Sequence, residues 1–309
     1  MGLRGGRLHR FGAALGLLIA LAAPAAAQRE RVLDANGPHR LIARETSDGE
    51  EALIAANQGG RRQALANDQR FEVIQRITLG DAPGLVVRGW SGGAYCCFTL
   101  HVFQRTPRGY ALSGSFSTGK AEEARLRADG AIFWVPDGAF DFWDVGAGRA
   151  TDLSPPIALR LTRGRLRADA EAMRRPIEDA LGQACPMRGQ NNDRRVPHFT
   201  TMEAALLQLP EGVWGSSPGG ETWRPEAEIP RRALCLLYAG HGDAALGMMA
   251  AWPAARPHRD AALRQLRARL LCETTALPVL RALNPEHPWL DGECTPAMRD
   301  ETTALTNLN

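Results

Sequence analysis

The stretch "IALRLTRGRLRADAEAMRRPIEDALGQA", residues 157–184, contains two different periods, and the change between them sets the fold class. Up to Ala168 the apolar positions Ile157, Leu159 and Leu161 alternate with others, the two-residue repeat of a strand. After Asp169 the apolar positions Met173, Ile177, Ala180 and Ala184 recur three or four residues apart, the repeat of a helix face.

Upstream of this point the chain reads as short alternating runs separated by glycine, proline and aspartate. The runs are "HRLIAR", "EALIAAN", "RQALAN", "FEVIQRITL", "GLVVRGW", "CCFTLHVFQR", "YALSGSF" and the segment "ARLRADGAIFWVPDGAFDFWDV", and "IALRLTRGRLRA" reads as a final strand. Asp129-Gly130 and Asp137-Gly138 both predict hairpin turns. Downstream, "DAEAMRRPIEDALGQA", "TTMEAALLQL", "IPRRALCLLYAG", "GDAALGMMAAW", "HRDAALRQLRARLLC" and "TALPVLRAL" carry helical spacing, with Asp243 the expected N-cap of its helix. The expectation is an α+β protein. An N-terminal antiparallel β-rich domain, an open sheet or a sandwich, covers residues 28–168, an α-helical domain covers 169–294, and 295–309 is a flexible tail.

Residues 1–27 read as a signal peptide: Arg4, Arg7 and Arg10 precede an apolar run from Phe11 to Ala23, and Ala25-Ala26-Ala27 supplies small residues for cleavage. The run is shorter than the roughly 20 residues a membrane span requires. The expectation is therefore a soluble periplasmic or secreted protein that does not span the membrane. The full chain holds 37 basic and 34 acidic residues. The leader accounts for three of the basic ones, so the mature chain has no net charge and no basis for binding nucleic acid.

In an oxidising compartment, six cysteines predict disulfides. Cys96 and Cys97 fall in the strand region, within "GWSGGAYCCFTL" at 89–100, and Cys185, Cys235, Cys272 and Cys294 in the helical one. Pairing within each domain joins Cys96 to Cys97 and leaves three arrangements for the rest, of which Cys272 with Cys294 and Cys185 with Cys235 is favoured. A bond between neighbours requires a distorted or turned backbone, because adjacent Cα atoms lie about 3.8 Å apart. Regular strand geometry instead sends the two side chains to opposite faces, which leaves buried or interdomain-paired cysteines and reactive thiols as alternatives.

No catalytic, cofactor-binding or metal-binding residue follows from the motifs. Cys97 and His101 share a strand face but stand roughly 13 Å apart, beyond hydrogen-bond reach. Ser91, in "WSGG", lacks the context of a nucleophile elbow. His198, His241, His258 and His287 lack metal-ligand spacing. In "FWVPDGAFDFWD", Trp134, Phe140 and Trp143 are candidate ligand-binding aromatics, against the alternative that the helical part packs over them.

The Gly-Gly-Ala-aromatic-Cys-Cys motif at 92–97, with "SPP" at 154–156 and "MRRP" at 173–176, resembles a set of uncharacterised exported bacterial proteins. "LGDAPGLVVRGWSGG" and "LRADGAIFWVPDGAFDFW" are similar to FG-GAP-type β blades, without their D-x-D-x-D-G calcium loop. "RRALCLLYAGHGDAALGMMAAWP" resembles one tetratricopeptide-like helical hairpin, which implies partner binding. The expected function is non-catalytic binding of an envelope protein or cell-wall component. The alternative is an envelope hydrolase with its site in the interdomain cleft. Neither carries a cofactor, and the oligomeric state is unassigned.

Overall fold

The computed structural model describes residues 29–57, 59–92, 97–121, 124–141, 143, 153–181, 225–252 and 256–303. The protein is α+β, and its described residues form three four-stranded antiparallel sheets followed by helices. The first sheet comprises β1 (Glu30–Asn36), β2 (His39–Glu45), β3 (Glu51–Ala56) and β4 (Arg62–Asp68). The second comprises β5 (Arg70–Leu79), β6 (Ala82–Trp90), β7 (Phe98–Thr106) and β8 (Gly109–Gly119). The third comprises β9 (Arg127–Asp129), β10 (Ile132–Pro136), β11 (Pro156–Thr162) and β12 (Arg165–Ala168). Within each sheet, strands that adjoin in space are consecutive in the chain.

The second sheet lies in the middle and is buried on both faces. Leu85, Val87 and Phe103 meet Leu41, Ala43, Leu53 and Ala55 of the first sheet. On the opposite face Val86, Leu100, Val102 and Phe116 join Phe133, Val135, Ile157 and Leu159 of the third sheet. Two-sided burial explains why "GLVVRGW" reads as a nearly continuous apolar run. A bulge in β1 between Val32 and Asp34 turns Asp34 onto the face of Leu41. There its carboxylate accepts from Arg76 (2.7 Å), Arg105 (2.6 and 3.0 Å) and Tyr110 (2.7 Å), which ties the first sheet to the second.

Two turn expectations are corrected. "IALRLTRGRLRA" is two strands, because Arg163 (φ 51°) and Gly164 (φ 76°) form a two-residue hairpin turn between β11 and β12. Asp129-Gly130 does turn a hairpin between β9 and β10, but Asp137-Gly138 does not. Asp137 instead caps a short 3-10 turn, Gly138–Phe140, by accepting from the Ala139 N–H at 3.0 Å. Gly138 lies so close to the backbone at Gly119 that no Cβ would fit.

Strand gives way to helix between Ala168 and Ala170. Among the described residues the helices are α1 (Ala170–Met173), α2 (Ile177–Leu181), α3 (Pro225–Tyr238), α4 (Gly242–Ala250), α5 (Arg256–Cys272), α6 (Leu277–Leu283) and α7 (Pro296–Thr303). The expected helix "TTMEAALLQL" and the signal peptide lie outside the described residues. The expected tail is in part a helix: Thr302 of α7 is buried and donates to Glu273 at 3.0 Å. Asp243 is not the N-cap of α4, which begins one residue earlier, at Gly242. A single apolar cluster runs from Val86 and Leu100 through Phe133 and Trp143 to Leu236, Met248, Leu266 and Leu280, so the strand-rich and helical parts share one core.

Candidate functional site at the end of the middle sheet

Ser113, Ser115 and Ser117 of β8 lie on one face, two residues apart, while Phe116 between them points into the core. Ser113 is buried and Ser115 and Ser117 are exposed, so the strip of hydroxyls emerges from beneath the first sheet. Across the ladder His101 stands opposite Ser115, and Thr99 opposite Ser117. One strand further, Val87 faces His101 and Gly89 faces Thr99. Gly89 leaves a gap in this face, and the Asp68 carboxylate from the end of β4 fills it: a Cβ at Gly89 would collide with Asp68 and touch the Phe71 ring at 3.1 Å. The Phe71 ring also lies 5.8 Å from that of His101, centre to centre. Thr99, Ser115 and Ser117 are thus grouped with His101 and with a carboxylate contributed by another sheet.

The rim is tied down at Ser91. Its N–H donates to the Cys97 carbonyl at 3.0 Å, and its Oγ accepts from the Cys97 N–H at 3.0 Å. Gly92 adopts φ 96°, and the position of its missing Cβ is 3.0 Å from the Gln69 side chain. The motif that begins at Gly92 therefore starts beside this strip.

Burial, with the charge of Glu50 added, pushes the Asp68 carboxyl up to about 6. Neither Asp68 nor Glu50 meets an arginine or lysine among the described residues, and the Glu50 carboxylate receives only the Gln69 amide at 3.4 Å. Three other carboxylates of these sheets are matched: Glu51 by Arg31 at 2.8 Å, Glu72 by Arg88 at 2.9 Å, and Asp34 by two arginines.

His101 is 6 % exposed, and burial pulls its imidazole down to about 4, so the ring is neutral at physiological pH. Nδ1 lies 3.0 Å from the Ser115 Oγ, and Nε2 is buried without a hydrogen-bond partner. A neutral ring carries one N–H, and leaving an N–H unpaired in the interior costs more than leaving a lone pair. The favoured tautomer therefore has Nδ1–H donating to Ser115, with the lone pair on Nε2. In that state Ser115 accepts from the ring and turns its own O–H outward. A nucleophilic serine needs the reverse arrangement, with the hydroxyl donating to the base.

The polar cluster around Asp137 is internally satisfied. Asp137, where the third sheet meets the helices, accepts from the Tyr238 hydroxyl (2.6 Å), from Thr274 and from the Ala139 N–H. Burial pushes its carboxyl up, and these three bonds act against that. Among the described residues no three histidines, cysteines, aspartates or glutamates are grouped to hold a metal ion.

Of the aromatics singled out from the sequence, Phe140 and Trp143 are buried, and the Trp143 Nε1–H donates to the Ala262 carbonyl of α5 at 3.0 Å. The helices do pack over that segment. Trp134 is half-buried, with the Arg175 guanidinium 5.4 Å over its ring. Cys272 and Cys294 form a disulfide. Cys97 and Cys235 are each in a disulfide, though not with one another, and Cys96 and Cys185 lie outside the described residues.

The grouping of Asp68 with His101 and Ser115 does not follow from the motifs. The alternation in "SGSFS" marks a hydroxyl face, but the arrival of Asp68 depends on how the first sheet is laid on the second. Comparison with family models, curated proteins and solved structures returned no match to this chain.

Proposed function

We propose that the chain is an exported binding protein that takes a cell-wall component at the Ser115 strip without chemically altering it. The observation that carries this reading is the histidine–serine pair: His101 Nδ1 lies 3.0 Å from the Ser115 Oγ while Nε2 has no partner, which favours the tautomer in which the ring donates and the serine is not activated for attack. Aligned hydroxyls beside a carboxylate suit a hydroxyl-rich ligand. Export is supported by the leader-like residues 1–27 and by the Cys272–Cys294 disulfide. No helix among the described residues is long and apolar enough to cross a membrane. A hydrolase acting between the two halves has less support, because Phe140, Trp143 and Tyr238 fill that junction.

The test is cosedimentation of the mature protein with purified cell-wall sacculi. Binding that falls about 10-fold in Ser115→Ala/Ser117→Ala, with no soluble fragments released, is the expected result. Covalent labelling of Ser115 by a fluorophosphonate probe would show an activated nucleophile and overturn it.

A further inference from the structure

The Asp68 and Glu50 carboxylates stand at the Gly89 end of the sheet without a cationic partner among the described residues, whereas Glu51, Glu72 and Asp34 are each held by arginine. Nδ1 of His101 lies 3.0 Å from Ser115 on β8, and its Nε2, buried without a partner, belongs to the same sheet face as Gly89, over which Asp68 lies. A half-buried carboxylate costs stability unless a cation or several donors meet it. Nothing in the described protein supplies them.

Resting on the binding reading above, we propose that the ligand carries the missing cation: a primary ammonium seated against Asp68 and Glu50, on a sugar whose hydroxyls lie along Thr99, Ser115 and Ser117. That chemistry defines a glycan with unacetylated amino sugars. An ammonium has three N–H donors and matches two carboxylates, whereas an N-acetyl group has one N–H and no charge. The exposed hydroxyls at two-residue spacing favour a sugar over an amine on a peptide side chain, which would leave them unmatched.

The test is calorimetric titration of the mature protein with a glucosamine trimer, an N-acetylglucosamine trimer and lysine amide. The glucosamine trimer should bind at least 10-fold more tightly than the other two. Asp68→Asn and Glu50→Gln should each remove most of that preference, with thermal melts confirming that both variants fold. Equal binding of the two trimers, still lost in Ser115→Ala/Ser117→Ala, would overturn the ammonium inference and keep the wider binding reading. Tighter binding of lysine amide would overturn the sugar assignment. Absence of binding by all three probes together with failure to sediment with sacculi would overturn both.

Discussion

A carboxyl held up at about 6 works against the folded state at neutral pH, and Asp68 is such a group. Unfolded, it ionises near 4. Its favourable contribution is therefore complete below that pH and is lost as the pH rises to about 6. Asp68→Asn should leave stability unchanged near pH 4 and raise it progressively to a plateau above about pH 6, as read by urea denaturation across that range. His101 acts in the opposite sense, since its neutral ring favours the fold less as the unfolded chain takes up a proton below about 6.5. That effect is common to both proteins and cancels in the comparison. A variant that is more stable but fails to bind marks a residue retained for function. No gain at pH 7 would mean that Asp68 is already matched by a partner.

At the scale of elements, the helical part is joined by Asn284, which follows α6. Its Oδ1 accepts the Gly242 N–H at 2.8 Å, and its Nδ2 donates to the carbonyls of Leu237 (2.9 Å) and Leu280 (3.1 Å). One side chain thus caps the start of α4 and the ends of α3 and α6. Asn284→Ala should cost about 2 kcal/mol, seen as a lower denaturation midpoint with an unchanged slope. This also shows where the sequence is silent. Asp243 reads as the cap of α4 because local side chains are what a sequence displays, whereas the cap used lies 42 residues away. The strands and the helix of α5 were legible because their apolar positions repeat with one period. The Arg163-Gly164 turn was not, since arginine gives no hint of positive φ, and Asp137-Gly138 misled because the same dipeptide also caps a 3-10 turn. In the candidate site, the serine face of β8 was readable from alternation, and the meeting of Asp68 with Gly89 was not, because it is set by the stacking of two sheets.

For the whole molecule, the shared core predicts one unfolding event. Trp143 of the strand-rich part and Trp252 after α4 belong to one apolar cluster, so tryptophan fluorescence and far-ultraviolet circular dichroism should report coincident midpoints. Two separated transitions would show that the halves hold independent cores. The order of strands has a further consequence. Because every sheet is assembled from chain neighbours, pairing requires mostly short loop closures, the long one running from Pro136 to Pro156 between β10 and β11, and each sheet can form as soon as its own four strands are available. A polypeptide delivered from its N terminus can therefore build the three sheets one at a time. The middle sheet, apolar on both sides, stays prone to aggregation until the third arrives, so a pause in delivery between Gly119 and Arg127 is the moment at which a holdase chaperone would be of most use.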